Sequence, residues 1–304
     1  MVRLSSALVL AALAGTAFGQ SINIDMNVAS GSGAGAPLTT FGGAPGLTGT
    51  WNSVTPSSAS GGTTVAVSNS NGVMTGVLFK HYSNNGSGQS TYGSGEYAKL
   101  MSDYAYSFGD TGQAWMQFTS LEPGVYRVYV YASLPPSQAT YIDSFNNTVD
   151  HTNNLSMNLN NVLQSYTSTA GVVPTGTFVR GKNYAVFNVK ISSFADTMKI
   201  LNLCDSSYFA AKIALNGIQL EKWTASRIYV NDDATGNGNG HSWANAMTSL
   251  TDALDLAAKS NGVVQEIWVA NGTYKASVNI RTNAFVIPSG VKVYGGFAGT
   301  ETSV

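Results

Sequence analysis

Short stretches in which apolar and polar residues alternate constrain this chain more than any other feature. The clearest is Val125–Ser133, whose two faces differ in character. One face carries Tyr126, Val128, Val130 and Ala132, and the other carries Arg127, Tyr129 and Tyr131. Successive side chains of a strand point to opposite faces, so a period of two predicts β-strands. Similar stretches recur at Ser21–Val28, Tyr184–Ser192, Met198–Cys204 and Lys212–Leu220. Short strands separated by Gly, Asp and Ser clusters predict a mainly β protein, with a β-sandwich or jelly roll over residues 20–223.

The pattern changes at Leu215–Val230. This segment predicts the closing strand of the first part, a short joint, and the opening strand of a second part, residues 224–304. Apolar residues at helical spacing then follow Thr248 and Ser249, either of which can cap a helix. Two further strands begin near residues 267 and 291, which are 24 positions apart. This spacing predicts one coil of a solenoid, with an amphipathic helix over its open end.

Composition narrows the range of partners. Charged residues make up only 10% of the chain, against about a quarter in typical globular domains. The formal net charge is −1 and no run of Lys or Arg occurs, so we expect no nucleic-acid partner. The turns are instead rich in Gly, Asn, Ser and Thr, which is typical of extracellular β proteins.

Residues 1–19 predict a signal peptide. Arg3 precedes the apolar run Ala7–Ala14, and Ala17 and Gly19 supply small residues for cleavage before Gln20. The run is too short to span a bilayer, so we expect no membrane insertion after cleavage. The predicted location is extracellular or at the cell surface. A single cysteine, Cys204, excludes an internal disulfide.

The sequence contains no recognisable catalytic or metal-binding constellation. The histidines, His81, His151 and His241, stand far apart, and no G-x-S-x-G nucleophile motif occurs. We therefore predict no catalytic residue, no resident metal and no cofactor. Calcium is the one cation left open, at an oxygen-rich loop that carries Asp232, Asp233, Asn237 and Asn239. The twelve-residue calcium loop would, however, place Trp243 or Ala244 where its bidentate Glu belongs.

Aromatic residues beside the longest Gly/Ser loop are the candidates for carbohydrate binding. Sugar rings stack on aromatic faces while acids and amides take the hydroxyls. The candidate set is Tyr92, Glu96, Tyr97, Asp103 and Tyr104. The alternative is that the tyrosines pack inward and the loop only connects two strands. Cores and domain joints are the expected positions of Trp51, Trp115, Trp223, Trp243 and Trp268.

Several segments carry a resemblance to known families. FGGAPGLTGTWN, LMSDY, LEPGVYRVYVYAS and NGIQLEKW, from Phe41 to Trp223, resemble bacterial extracellular β-sandwich domains of the broad galactose-binding-like type. RIYVNDDATGNGNGHSWANAMTSLTDALDLA, EIWVANGTYK and IPSGVKVYGGFAGTETS resemble the N-terminal start of pectin-lyase-like proteins. The second resemblance implies an incomplete right-handed parallel β-helix with one N-terminal capping α-helix. Only about one coil is present, so we expect the chain to be a fragment of a longer protein.

These observations lead to one functional hypothesis and two alternatives. The first is a secreted, non-catalytic protein with a polysaccharide or cell-surface glycan as the candidate partner, which would suit an adhesin. The second is the N-terminal part of a polysaccharide lyase or glycoside hydrolase whose active site lies beyond residue 304. The third is a purely structural scaffold. Fold alone does not decide among them.

Overall fold

The computed structural model describes residues 21–28, 31, 34–59, 61–109, 112–142, 145–171, 173–174, 176–204, 212–277 and 283–304. The predicted signal peptide lies outside this range. Up to residue 223 the elements are β1 (Ile22–Met26), β2 (Trp51–Val54), β3 (Thr63–Ser68), β4 (Met74–Ser83), β5 (Ser87–Gln89), α1 (Gly95–Met101), β6 (Asp103–Phe108), β7 (Gln113–Thr119), β8 (Gly124–Tyr131), β9 (Thr140–Ile142), β10 (Thr148–Asp150), β11 (Thr152–Leu159), β12 (Val162–Ala170), β13 (Tyr184–Ile191), β14 (Thr197–Leu203), β15 (Lys212–Leu215) and β16 (Gly217–Lys222). The following elements are β17 (Arg227–Val230), α2 (Leu250–Lys259), β18 (Glu266–Ala270) and β19 (Lys292–Phe297).

Two large sheets enclose the main core. The first has the order β13-β8-β16-β1-β2 and the second the order β12-β11-β14-β7-β4-β3. Neighbouring strands are antiparallel except for the parallel pair of β1 and β2. Val128 of the first sheet and Met116, Phe118 and Ile200 of the second belong to the same buried cluster. The predicted mainly β class is confirmed, and the two facing sheets fit a β-sandwich.

The outer faces of these two sheets differ in how they are covered. Both faces of β8 are buried, because the segment 34–50 and the second part of the chain lie over the first sheet. In that segment Ala44 donates its backbone N–H to the hydroxyl of Tyr131 at 2.8 Å. The backbone oxygen of Leu47 accepts from Nε2 of Gln219 at 3.0 Å. The outer face of the second sheet, by contrast, consists of half-buried and exposed residues.

The second part of the chain is built on three parallel strands in the order β17-β18-β19. α2 begins after Ser249, which is one of the two predicted caps. The Ser249 side chain accepts a hydrogen bond from the backbone N–H of Asp252. Its apolar face packs into a core that includes Ile228 and Ile267, and also Trp223 from the joint. The helix is thus confirmed, while three parallel strands do not establish a β-helix. No helix in the described ranges has the length and apolarity needed to span a membrane.

The segment 97–106 divides between two elements. α1 ends at Met101, and β6 begins at Asp103. The strand is favoured because residues 103–105 pair with β5 and residues 105–108 pair with β15. The chain therefore turns between Met101 and Asp103, which places the Asp103 side chain beneath the surface.

Candidate functional site

The tyrosines predicted to stack on sugars lie inside the protein. Tyr92, Tyr97 and Tyr104 are only 1%, 6% and 2% exposed. The rings of Tyr92 and Tyr97 meet edge to face with 5.5 Å between centroids, and the Tyr97 hydroxyl accepts a hydrogen bond from Nδ2 of Asn183 at 3.1 Å. A buried ring offers no free face to a sugar. Their placement thus fits the packing alternative rather than the stacking hypothesis, and carbohydrate binding by this set stays a prediction.

The polar groups of Glu96 and Tyr104 are already engaged. The Glu96 carboxylate accepts the backbone N–H of Leu38 through Oε2 and pairs with Lys99 at 3.1 Å through Oε1. The Tyr104 hydroxyl donates to Oε1 of Gln138 at 3.1 Å. Both residues therefore tie α1 and β6 to neighbouring loops.

Asp103, the last of the predicted set, lies near a second buried carboxylate, Asp25 of β1. Both residues are 0% exposed. Asp103 accepts the backbone N–H of Val28 through Oδ2 at 2.8 Å, whereas its Oδ1 and both carboxylate oxygens of Asp25 have no hydrogen-bond partner. Burial, together with the charge of Asp103, raises the pKa of Asp25 well above its usual range, and Lys99 opposes this shift. Burial also raises the pKa of Asp103, so the pair favours a bound proton.

A hard cation prefers oxygen ligands, and these two carboxylates could supply them. Groups of three or more His, Cys, Asp or Glu side chains in metal-binding proximity are absent from the described residues. Two carboxylates alone leave most of the coordination of such a cation to backbone oxygens or water. The directly testable property of the pair is therefore its protonation.

We expect Asp25→Asn to raise the free energy of unfolding at pH 7 by about 1–3 kcal/mol in buffer with a chelator, because a neutral amide needs neither a bound proton nor a buried charge at this position. A raised folded pKa stabilises the wild type fully below about pH 4, the unfolded value, and this contribution is lost as the pH rises through the folded pKa. The variant's advantage should therefore be small near pH 4 and grow toward pH 7. Urea unfolding at both pH values measures it.

The control for this experiment is Asp233→Asn, because Asp233 is exposed and should change stability by less than about 0.5 kcal/mol. Equal or lower stability of Asp25→Asn at pH 7 would contradict a proton-holding pair. A calcium-dependent rise in the stability of the wild type that Asp25→Asn abolished would contradict it as well, since it would show that the carboxylates hold a cation instead.

The oxygen-rich loop after β17 forms hydrogen bonds within itself and to other parts of the chain. Asp232 accepts the backbone N–H of Thr273 through Oδ2 at 2.8 Å. Asn237 accepts the backbone N–H of Asn239 at 3.3 Å, and Nδ2 of Asn239 donates to the backbone oxygen of Pro45 at 3.2 Å. These bonds fix the loop and connect the two parts of the chain. Calcium binding at this loop stays a prediction.

The three histidines occupy separate environments. Burial lowers the pKa of His81 to about 4, and burial, aided by Lys212, lowers that of His151 to about 4 as well. Both imidazoles are therefore neutral at physiological pH. His241 stacks on Trp223, with 4.3 Å between centroids. The three histidines therefore do not come together in one site.

Cys204 should be unreactive in the folded protein. Its side chain is buried, and burial raises the pKa of the thiol to about 11, so little of the nucleophilic thiolate exists at pH 8. We expect a water-soluble aromatic disulfide reagent to leave the native protein almost unmodified at pH 8 and to modify one thiol after denaturation. Rapid reaction of one thiol in the native protein would contradict this expectation.

The outer face of the second sheet is an open surface with aromatic residues in register. Tyr82 of β4, Trp115 of β7 and Leu201 of β14 lie directly opposite one another. Ser156 of β11 and Tyr166 of β12 continue the same line. Neighbouring strands are about 4.8 Å apart, so this aromatic row extends about 19 Å across five strands. Its length suits an extended ligand.

Trp115 is the centre of the exposed aromatic surface. Its ring lies 5.8 Å from that of Tyr82, measured between centroids, at an angle of 31°. A Cβ added to Gly62 would lie 2.6 Å from Cη2 of Trp115, so the loop before β3 touches one edge of the indole. Nζ of Lys199 lies 4.5 Å from the indole centroid, and Nζ of Lys80 lies 6.0 Å from it. These contacts orient the ring while leaving it half-buried.

Hydrogen-bonding side chains flank the aromatic row. Lys80, Gln117, Lys199 and Asn158 form the adjacent line across the same strands. Desolvation, aided by the charge of Lys80, lowers the pKa of Lys199. Within the described ranges neither lysine takes part in an ion pair. Amide and ammonium donors thus stand beside flat apolar rings, the combination that recognises sugars.

The expected core position of Trp115 is wrong, although the sequence contains the relevant signal. In QAWMQFT, Ala114, Met116 and Phe118 fall on one face, and all three are buried. A period of two then places Trp115 and Gln117 on the opposite face. Trp51, Trp223 and Trp268 are buried as expected.

Comparisons with known proteins reveal only weak likenesses. No protein-family model and no curated protein matches the sequence. Among solved structures, the catalytic domain of a GH87 α-1,3-glucanase in complex with nigerose has a TM-score of 0.29 and 13% identity, covering 71% of this chain and 37% of that one. The CBM36-1 domain of a multidomain xylanase from the hindgut metagenome of Trinervitermes trinervoides has a TM-score of 0.26 and 6% identity. The match covers 45% of this chain and 86% of that one. A family 35 carbohydrate-binding module from Clostridium thermocellum has a TM-score of 0.24 and 15% identity. The match covers 40% of this chain and 78% of that one. Likenesses at this level do not assign a family.

Proposed function

We propose that this chain is a carbohydrate-binding module that binds a polysaccharide or cell-surface glycan along the aromatic row. The single observation that supports this is the register of Tyr82, Trp115 and Tyr166 on an open sheet face, beside the amide and ammonium donors of the adjacent line. A sugar ring has apolar C–H faces and a polar rim, so it needs both kinds of group at once. A sheet face that served only as a scaffold needs neither.

The module is proposed to be secreted and non-catalytic, and to serve attachment to a glycan surface. Two observations support a binding role over catalysis. The exposed face holds aromatic, lysine and amide side chains rather than paired carboxylates, which sugar hydrolysis uses. The buried carboxylates Asp25 and Asp103 are closed off from solvent, so a glycan cannot reach them in this conformation.

For the second part we infer the start of a right-handed parallel β-helix. Its support is the parallel pairing of β17, β18 and β19, with α2 packed against the same core. Such a unit would hold the binding face at a constant orientation, since the joint residue Trp223 is buried in that core. The proposed role is therefore presentation of the sandwich face from a rigid stem.

Affinity electrophoresis of purified residues 20–304 through gels that contain different soluble polysaccharides tests the binding proposal. We expect retardation by at least one neutral or acidic glycan. The same preparation, incubated with that glycan, should release neither new reducing ends nor unsaturated products. Cleavage of the glycan would contradict the non-catalytic assignment, and free migration in every gel would contradict glycan binding.

A further inference from the structure

A polar cleft of about 120 Å³ lies where the second part of the chain covers the first sheet. β8 and β13 supply one wall, and the loop before α2 and the first turn of α2 supply the other. Its polar lining consists of Arg127, Tyr129, Arg180, Tyr184, Asn237, Thr248 and Asp252. Since about 10–15 Å³ of such space holds one water, the cleft has room for several waters or one small polar group.

Arg127 is the notable residue of the cleft because its charge is buried without a contacting carboxylate. It is 2% exposed and forms no ion pair with any described residue. Its Nε donates to the Tyr129 hydroxyl at 2.9 Å. The terminal nitrogens make only longer contacts, at 3.4 Å to Sδ of Met247 and 3.5 Å to the backbone oxygen of Gly238. Burying a guanidinium with so few short hydrogen bonds costs folding free energy unless an anion pairs with it.

Two carboxylates lie near Arg127, and neither forms an ion pair with it. Asp252 lines the cleft but pairs with Arg180. Glu221 lies opposite Arg127 on β16 and pairs with His241 through Oε1, while its Oε2 has no hydrogen-bond partner. Arg127 therefore places a positive charge at the cleft wall. The nearby carboxylates attract this charge from a distance but do not contact it.

We propose that this cleft binds the carboxylate group of an acidic sugar. A planar carboxylate can accept two parallel hydrogen bonds from the terminal nitrogens of Arg127, the pairing that arginine favours. The Tyr129 hydroxyl accepts a bond from Nε of Arg127, which leaves its own hydrogen to donate to the same ligand. Asn237 on the facing loop also lines the cleft. The site is separate from the aromatic row, since it lies on the other sheet, but the choice of a sugar as the carrier of the carboxylate rests on the proposed function.

Titration calorimetry with sodium glucuronate, compared with glucose, tests the site on the intact chain. We expect glucuronate to bind and glucose to bind at least tenfold more weakly. Arg127→Lys should weaken glucuronate at least tenfold, because the paired donors are lost. Asn237→Asp keeps Arg127 and adds a negative charge to the cleft, which should repel the carboxylate of glucuronate and weaken binding by a similar factor. This second variant keeps the test valid if Arg127→Lys does not fold.

The control variant is Trp115→Ala, which should leave glucuronate affinity unchanged because Trp115 is on the opposite sheet. This control separates failure of the cleft from failure of the aromatic row. Equal binding of glucose and glucuronate would overturn the proposal, as would unchanged affinity in Asn237→Asp. Sulfate that bound as tightly as glucuronate would overturn the assignment of a carboxylate.

Discussion

Replacing Trp115 with alanine is expected to weaken binding to the preferred polysaccharide about 30-fold. Truncation of a central aromatic contact commonly costs about 2 kcal/mol or more, and each 1.4 kcal/mol corresponds to a factor of ten. Trp115 is the centre of the aromatic row and is half-buried on the outer face, so its loss removes the stacking surface and leaves the core intact. Affinity electrophoresis or calorimetry with the polysaccharide identified in the binding assay measures the change.

Two variants make this test specific. Trp115→Phe keeps a smaller ring in the same place and should give an intermediate loss. Phe194→Ala removes an exposed aromatic from the turn between β13 and β14, outside the row, and should bind as the wild type does. Unchanged binding in Trp115→Ala, with normal unfolding, would exclude the aromatic row as the glycan site.

Trp223→Ala is expected to lower the free energy of unfolding by about 3–5 kcal/mol, the usual cost of removing a fully buried large aromatic side chain. Trp223 is 2% exposed and packs in one cluster with Val125 of the first sheet and with Ile228 and Val230 of β17. Its Nε1 also donates to the backbone oxygen of Ala225 at 2.8 Å. The variant thus opens a cavity at the joint and leaves a backbone acceptor unpaired.

Because that cluster joins both parts, we expect the whole chain to unfold in one transition that Trp223→Ala shifts as a unit. Calorimetry and tryptophan fluorescence should report the same midpoint for each protein. Phe194→Ala is again the control, with a change below about 0.5 kcal/mol. Two separate transitions, of which the substitution moved only one, would show that the parts fold independently.

The alternation in the sequence predicts much of the fold and little of the site. Strands β8, β13 and β14 follow directly from it, and Ser249 begins α2 as one of two predicted caps. The predicted strand Lys212–Leu220 instead divides into β15 and β16, which lie in different sheets. β12 does not follow from the alternation, because VLQSYTSTA is mostly polar, and in β11 the alternation is limited to Leu155, Met157 and Leu159. Asn153 is buried within β11, where its Oδ1 accepts the backbone N–H of Ala214 at 2.7 Å. A polar residue with a buried partner distant in sequence gives no hydrophobic signal.

The amino-acid sequence by itself determined that the chain is mainly β and which residues share a strand face, because side-chain alternation is a local property of the extended backbone. Only the tertiary structure decided which face would be covered. The mixed face of β8, with Arg127 and Tyr129, lies beneath the second part of the chain. The face of β7 with Trp115 stays open. Coverage depends on contacts between residues more than a hundred positions apart, such as Arg127 with Met247, and no local pattern encodes them.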